Sequence, residues 1–312
     1  MSARENYLRW RYRLFPDHVI GEILSKNWID NAIPFMFLAI AVTVFSLIIP
    51  NFVTLGSLGT MGELLAEYLF VAIGMTLVLK AGGIDLSVGS VFALCNFCAL
   101  YLVNAMGMPL IVVIPAVLAV GGLVGAVNGF LIGFLRLRAF LTTLVTLILV
   151  RAIVELLSLN FGVNASYSET PVPMWDYLGA ARFFGMPLSL YVVALVAILS
   201  HILMTRMRFG WHLSAVGGSR RSAYNIGLPV KWIVAQTYIL SGVFTAAGAL
   251  FYASRLGSIG GSVGIGLEIV ILTAAVLGGN SLGGGRGSVA KAIIGTVIVV
   301  MVTNALVRMG LR

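Results

Sequence analysis

The stretch Lys80-Ala81-Gly82-Gly83-Ile84-Asp85-Leu86-Ser87-Val88-Gly89-Ser90 separates two long apolar runs with a glycine pair, a carboxylate and two hydroxyls. Lipid cannot hydrogen-bond freed peptide groups, so irregular backbone at membrane depth must be packed in protein or line a wet cavity. One interpretation is a discontinuous membrane helix whose second half begins at Asp85 or Ser87 and presents its N-terminus to a polar route. The other is a tight cytoplasmic turn in which Asp85 caps the next span. Both interpretations are open at this point.

The composition of the chain is that of an integral membrane protein. Of its 312 residues 60% are hydrophobic and 10% are charged, and the mean hydropathy is +1.03. A soluble domain has roughly 25% charged residues. Since a membrane helix needs about 20 apolar residues, the length allows roughly eight to ten spans and little else, and we expect about nine or ten. We therefore expect an all-α polytopic helical bundle with discontinuous segments.

The net charge of +9 does not indicate a nucleic-acid-binding protein. The basic residues are spread over short connections between apolar runs, as expected for connections held in the cytoplasm, and they form no basic face for nucleic acid. Residues 1–30 carry Arg4, Arg9, Arg11 and Arg13 without the pattern of a cleaved signal peptide. We expect this segment to be a basic cytoplasmic leader, either an interfacial helix or a loose tail.

Apolar runs define the spans when they are read from a cytoplasmic start. They cover approximately Ile33–Ile49, Met61–Leu79, Leu86–Val103, Leu110–Phe134, Leu141–Leu159, Leu188–Met204, Trp232–Ala253, Leu267–Leu277 and Val289–Val307. In this order Lys80, Arg136, Arg138 and the basic connection at about 206–231 fall on the cytoplasmic side, which satisfies the positive-inside rule. The longest outside segment, from about Asn160 to Pro187, is free to meet a partner outside the membrane.

Four glycines of the fourth run recur every four residues: Gly121, Gly125, Gly129 and Gly133. This spacing makes one glycine stripe along a helix face, where a second helix can approach closely. We expect the stripe to serve helix packing.

Few charged side chains lie within the apolar runs. Arg151 and Glu155 stand four residues apart on one helix and are expected to neutralise each other. Glu63 and Glu67 have the same spacing near the outer end of the second run. They form either a polar rim or a solvated face, and we expect the solvated face.

The sequence gives no signal for a cofactor, a metal or an enzyme site. The glycine-rich run from Leu277 to Ser288 lacks the Gly-Lys-Ser/Thr ending of a phosphate-binding loop, and it lies between apolar runs rather than in a βαβ unit. Cys95 and Cys98 have no neighbours that would complete a metal site, so we expect two small core residues. The energy for transport is therefore expected to come from another subunit.

The longest connection expected on the cytoplasmic side, at about 206–231, contains a second stretch of polar residues. Ser219 is placed to cap a short helix that Gly227 and Pro229 terminate. Such a helix is expected to lie outside the bilayer, where it can dock in a groove on a partner protein. The alternative is a basic loop that only fixes topology.

Several segments together resemble the ribose-type monosaccharide permeases of bacterial ATP-binding-cassette (ABC) importers. They are Gly82–Ser90, Gly125–Gly129, Ala139–Leu144 followed by Arg151, Gly217–Gly227, and Val276–Gly285. They occur in the family's order, and the resemblance runs from about Ile33 to Leu311. It implies that residues 31–312 form the transmembrane permease domain.

The resemblance also implies roles for particular residues. The solute pathway is then flanked by Gly82, Gly83, Asp85, Ser87 and Asn128. The helix that couples to the ATPase is formed by Gly217, Gly218, Ser219, Arg220, Arg221, Ala223, Asn225 and Gly227. The implied partners are ABC ATPase subunits, a second permease subunit (identical or related), a periplasmic solute-binding protein and a small sugar, in the bacterial inner membrane.

The resemblance has one departure. Members of the family usually carry one more hydrophobic helix after the run that ends near Val307, so either the chain is shortened or a span is miscounted. The sequence thus predicts a permease subunit for a small polar solute, expected to be a monosaccharide. The alternative is an ion-coupled secondary carrier, for which Asp85, Glu155 and Glu268 are the candidate titratable groups.

Overall fold

The computed structural model describes residues 27–166, 173–260 and 262–310, which are almost entirely helical. The helices are α1 (Asn27–Ile48), α2 (Leu55–Lys80), α3 (Val88–Leu100, continued by a π-helical turn, Tyr101–Ala105), α4 (Leu110–Gly133), α5 (Ala139–Ser166), α6 (Pro173–Ala180), α7 (Leu188–Arg206), α8 (Arg208–Gly218), α9 (Arg220–Asn225), α10 (Val230–Leu256), α11 (Leu267–Leu277) and α12 (Val289–Arg308). Strands β1 (Arg182–Phe183) and β2 (Met186–Pro187) pair antiparallel. The all-α fold class is confirmed, whereas the basic leader expected over residues 1–30 lies almost wholly outside the described residues.

Seven of the described helices are long and apolar enough to cross a membrane: α2, α3 with its π-turn, α4, α5, α7, α10 and α12. The two shorter apolar helices are Ala32–Ile48, within α1, and α11. Within the described residues there are therefore nine apolar helices, at the positions that the hydropathy pattern predicts. The protein is a multi-pass membrane protein.

Helices α2 and α10 form the centre of the bundle. In their most apolar stretches 78% and 67% of the residues are buried, compared with 22% in α4 and 28% in α5 and α7. Helix α10 packs against α4, α2 and α3, and this contact contains most of the buried core. The less buried helices α4, α5 and α7 therefore lie at the perimeter.

Two helices begin inside the bundle rather than at its surface. Asp85, just before α3, accepts a hydrogen bond from Ser241, which lies about 16 Å along α10 from its first residue, Val230. Helix α11 has 11 residues, also about 16 Å, roughly half of the hydrocarbon thickness. The N-terminal ends of α3 and α11 meet where the backbone of Gly89 packs against Gly264 and Glu268. The described backbone is therefore non-helical at membrane depth in two places, 81–87 and 257–266.

Several helices, α2 and α5 among them, extend beyond the predicted apolar runs. Helix α2 begins well before Met61, because Thr54 Oγ1 accepts a hydrogen bond from the Ser57 amide and caps its first turn. Helix α5 continues past Leu159 to Ser166. Hydropathy locates the membrane-embedded part of a helix, and the helical geometry continues beyond it.

Both connections singled out in the sequence contain secondary structure within the described residues. In the interior one, α8 precedes the short helix α9, which Ser219 caps by accepting a hydrogen bond from the Ser222 amide. In the outer one, α6 is followed by a β-hairpin whose turn residues, Phe184 and Gly185, have φ values of 49° and 81°. These left-handed conformations match the twist of a tight hairpin. The Phe184 side chain at the tip is 97% exposed.

Candidate functional site

Asp85 is the centre of a buried polar network. Its Oδ1 accepts hydrogen bonds from the amide (3.0 Å) and the hydroxyl (2.6 Å) of Ser87, and its Oδ2 accepts one from Ser241 Oγ (2.9 Å). The Asn128 side-chain amide donates to Ser87 Oγ (3.0 Å), and Thr146 Oγ1 donates to Asn128 Oδ1 (2.6 Å). The network therefore joins the 81–87 turn to α4, α5 and α10.

The polar side chains of the turn lie inside the bundle. Asp85, Ser87 and Asn128 are all buried, whereas Gly82 at the start of the turn is exposed. Ser87 immediately precedes α3 but makes no side-chain capping bond; its hydroxyl donates to Asp85 and accepts from the Asn128 amide. In this conformation the three residues bind one another rather than face an open surface.

The glycine pair allows the turn to pack tightly. Gly82 has a φ of +74°, which disfavours residues with a β-carbon. A β-carbon on Gly83 would collide with the Tyr238 hydroxyl. That hydroxyl donates to the Ile84 carbonyl (3.3 Å), so a side chain of α10 satisfies one of the peptide groups freed by the break.

Three segments meet backbone to backbone at the C-terminal end of α2. The Lys80 carbonyl accepts a hydrogen bond from the Gly285 amide (2.9 Å). A β-carbon on Gly217, in the last turn of α8, would overlap both this carbonyl and the Gly285 nitrogen. The Lys80 ammonium donates to the Met204 carbonyl near the end of α7 (3.4 Å). The interior connection is thus in direct contact with the segment that leads into the Asp85 turn.

The residues of the expected coupling helix lie in two helices and the turns around them. Gly217 and Gly218 end α8, Ser219 caps α9, and Arg220, Arg221, Ala223 and Asn225 belong to α9, with Gly227 in the turn that follows. Among them Gly217 is half-buried and Ala223 is buried, whereas the others are exposed. The element therefore has one side packed on the bundle and one side open.

The glycine stripe of α4 lies against α10. A β-carbon on Gly121, Gly125, Gly129 or Gly133 would meet backbone atoms of α10, from Gly242 at one end of the row to Lys231 at the other. The two helices therefore approach each other at backbone distance along about three turns.

The expected solvated face at Glu63 and Glu67 is wrong. Glu67 is 1% exposed, and its two carboxylate oxygens accept hydrogen bonds from Arg255 at 2.8 and 3.0 Å. Glu63 binds Arg182 and lies 3.8 Å from Arg255. The charge of Glu67 is tolerated because a guanidinium from the outer end of α10 pairs with both of its oxygens. Nothing in the local sequence indicates a partner 188 positions away.

Arg151 interacts with other groups besides Glu155. Its Nη1 donates to the Val263 carbonyl in the segment before α11 (2.6 Å), and both Glu155 and Glu268 lie close enough to interact with its charge. Arg151 therefore connects the perimeter helix α5 to the non-helical segment at 257–266. Sequence reasoning missed this segment, whose many small residues and glycines were the available signal.

Comparison with known proteins identifies the family. The family model described as the permease component of the branched-chain amino acid transport system matches residues 63–311. The chain is 30% identical over 286 residues to the ribose import permease protein RbsC of Escherichia coli (strain K12), covering 92% of this chain and 88% of that protein. It is 31% identical over 307 residues to the fructose import permease protein FruF of Bifidobacterium longum (strain NCC 2705), covering 95% and 85%.

A third relative is the L-arabinose transport system permease protein AraH of Escherichia coli (strain K12), which is 32% identical over 272 residues, covering 87% of this chain and 80% of that protein. No solved structure matches the chain. The family match and these relatives cover most of the chain, including the Asp85 turn, the glycine stripe and the α8–α9 connection. The chain therefore belongs to this family of transport-system permease components, and the relatives described above are import or transport permeases for ribose, fructose and L-arabinose.

Proposed function

We propose that the chain is one of two permease subunits of an ABC importer in a bacterial inner membrane, and that it moves a monosaccharide inward. Separate ATPase subunits drive the movement, and a periplasmic binding protein delivers the solute. The names of the relatives support the solute class, because they are import permeases for ribose and fructose and a transport permease for L-arabinose.

The observation that carries this proposal is the contact between Gly217 and the Lys80 carbonyl. Helix α9 has an exposed side suited to an ATPase groove, and α8 rests on the segment that leads to Asp85. A displacement of the α8–α9 pair would therefore be passed to the 81–87 turn and, through the Asp85 network, to α4, α5 and α10. ATP binding drives this conformational change if the inward-facing and outward-facing states of the permease bind the ATPase with different affinities.

The outer hairpin is the proposed contact for the binding protein. The tip residue Phe184 is exposed, and the Tyr191 hydroxyl holds the hairpin to α7 by donating to the Phe183 carbonyl (2.8 Å). An exposed aromatic residue on a rigid support is a typical anchor in protein–protein interfaces.

The test is purification of the tagged protein from its native membrane, followed by uptake in proteoliposomes. We expect an ATPase and a second permease subunit to copurify, and labelled D-ribose, D-fructose or L-arabinose to enter only with ATP and a binding protein. Collapse of ion gradients should leave this uptake intact. Recovery of the chain alone, with uptake that follows an ion gradient, would instead indicate the secondary carrier.

A further inference from the structure

A basic cavity lies where α9 meets the membrane helices α4 and α10. Its volume is about 690 Å³, and its lining comes from the end of α4 and the turn that follows, from α9, and from the start of α10. The ends of α4 and α10 touch there, because a β-carbon on Gly133 would meet the Lys231 carbonyl. The cavity is therefore formed by three separate stretches of the chain at one end of the bundle.

The charge of the cavity wall has one sign. None of the described lining residues is acidic, and four are basic: Arg136, Arg220, Arg221 and Lys231. All four are exposed, and none of them forms an ion pair within the described part of the chain. Like charges around one cavity repel one another, so a bound anion is favoured there.

The start of α10 adds to the positive potential of the cavity. Pro229, at its N-cap, makes no side-chain capping bond, and its first turn contains no acidic residue. The N-terminal end of a helix carries a partial positive charge and free amide groups, both of which favour an anion. Pro229 and Val230 line the cavity, so the positive end of this 27-residue helix adjoins the four basic side chains.

Aromatic side chains beside the cavity indicate that it lies at the membrane interface. Trp232 lines the cavity and is 59% exposed, and its ring packs edge-on against Phe134, with the ring centroids 4.9 Å apart. Phe134 stacks in turn on Phe130, which is 53% exposed and lies one turn deeper in α4. Exposed tryptophan is typical of the headgroup level of a membrane. A molecule in the cavity therefore has basic groups on one side and membrane-facing aromatic rings on the other.

We propose that the cavity binds the phosphate headgroup of an anionic phospholipid, whose acyl chains follow the exposed side of α4 past Phe130. Phosphate accepts charge-assisted hydrogen bonds from guanidinium groups, and basic pockets between membrane helices are typical sites for acidic lipid headgroups. Pockets for small molecules occupy about 300–1,000 Å³, so the headgroup fits. The bound lipid connects α9 to α4 and α10.

The lipid site leaves another side of α9 free for a protein partner. Arg220, Arg221 and Tyr224 line the cavity. Ser222 and Asn225 are exposed and lie outside its lining. The lipid and the proposed ATPase therefore use different sides of α9, and the lipid site does not depend on the proposed function.

Native mass spectrometry of the purified protein, together with any subunits that copurify, tests which ligand binds. We expect dioleoylphosphatidylglycerol to bind at least about tenfold more tightly than dioleoylphosphatidylethanolamine, which has no net charge. Millimolar glycerol 3-phosphate should not displace it, because the free headgroup lacks the acyl chains that contribute to binding. Equal affinity for the two lipids would overturn the proposal. Displacement by glycerol 3-phosphate would assign the cavity to a soluble phosphate compound and would overturn it as well.

Substitutions outside α9 locate the site without changing the proposed ATPase contact. Each basic side chain near an anionic lipid surface contributes roughly a fivefold gain in affinity. Arg136→Gln combined with Lys231→Gln should therefore weaken phosphatidylglycerol binding by about 10- to 30-fold. Arg138→Gln is the control, because Arg138 is exposed in the same connection but does not line the cavity. Unchanged affinity in the double variant, or an equal loss in the control, would contradict the assignment.

A second variant separates lipid binding from folding. Arg136 has a φ of 58°, a conformation that glycine adopts without strain. Arg136→Gly should therefore keep the thermal stability of the protein and still weaken phosphatidylglycerol binding about fivefold. Lipid that binds the chain alone but not the chain with a copurified ATPase would show that a protein contact occupies the cavity, against the proposal. If no ATPase copurifies, the proposed function fails, whereas the lipid affinities still decide this inference.

Discussion

At the scale of single residues, the most constrained position in the coupling region is Gly217. A β-carbon there would overlap the Lys80 carbonyl and the Gly285 nitrogen, which are both backbone atoms that a rotamer change cannot move. Overpacking of this kind costs about 1–3 kcal/mol. We expect Gly217→Ala to lower solute uptake about tenfold or more in membranes that contain normal amounts of the protein, because α8 must shift away from the Asp85 turn.

The adjacent glycine is a matched control for this substitution. A β-carbon on Gly218 would meet no atom within 4 Å, so Gly218→Ala should have a much smaller effect on uptake and on thermal stability. If both variants transport equally well, the contact at Gly217 does not carry the conformational change.

The buried ion pair at the outer end makes a second prediction at this scale. Glu67→Gln removes the charge that pairs with Arg255, a guanidinium only 22% exposed. Breaking a buried pair costs about 3–5 kcal/mol, so the thermal unfolding midpoint in detergent should fall by several degrees. Glu63→Gln is the comparison: its nearer partner Arg182 is 43% exposed and its contact with Arg255 is longer, at 3.8 Å, so we expect a smaller loss, because the contribution of an ion pair falls with exposure. Equal losses would contradict the distinction between the two pairs.

These positions differ in how far the sequence predicts them. Asp85 and its neighbouring glycines stand out locally, because a carboxylate and two adjacent glycines interrupt an apolar pattern. The bonding of Glu67 to Arg255 depends on how α2 and α10 pack, and no local pattern contains that information. The same reason explains why the Val263 partner of Arg151 could not be predicted.

At the scale of elements, the contact of α4 with α10 depends on one face of α4. A β-carbon on Gly125 would overlap the Tyr238 carbonyl oxygen and lie 3.0 Å from the Ile239 Cα. We expect Gly125→Ala to separate the two helices and lower the unfolding midpoint in detergent, by the equivalent of about 1–3 kcal/mol. The yield of monodisperse protein should fall with it.

Gly122 provides the control on the same helix. Its added β-carbon would meet only a methyl group of Val243, at 3.2 Å, and a side chain can adjust. Alanine is also favoured over glycine in a helix by about 1 kcal/mol, so Gly122→Ala should be neutral or slightly stabilising. A destabilisation as large as that of Gly125→Ala would mean that helix propensity or burial, rather than the close approach, sets the effect.

The elements also show the limit of hydropathy. It locates the apolar helices because the lipid requires long apolar runs, but it counts Leu267–Leu277 as a span although α11 has only 11 residues. It does not predict α8, which lies outside the apolar runs, or the hairpin around Phe184, which has only two residues in each strand.

At the scale of the whole molecule, the predicted topology requires the hairpin and the α8–α9 connection to face opposite sides of the membrane. The turn residue Gly185 packs on Leu55, at the start of α2, whereas Gly217 packs on Lys80, at its end. Helix α2 has 26 residues and is therefore about 39 Å long, enough to separate the two contacts by the bilayer. The basic connection at 206–231 marks the second side as cytoplasmic.

This arrangement predicts the accessibility of two exposed positions, Phe184 and Ile226, which are 97% and 73% exposed. In a background with Cys95 and Cys98 replaced by alanine, an impermeant thiol reagent should label Phe184→Cys in spheroplasts and Ile226→Cys only in inside-out vesicles. Labelling of both from one side would contradict the separation along α2, because a 26-residue apolar helix cannot place both ends in the same compartment without leaving the membrane. Labelling of Ile226→Cys in spheroplasts and of Phe184→Cys only in inside-out vesicles would leave the fold unchanged but reverse its orientation in the membrane. That orientation would exclude a cytoplasmic ATPase as the partner of α9.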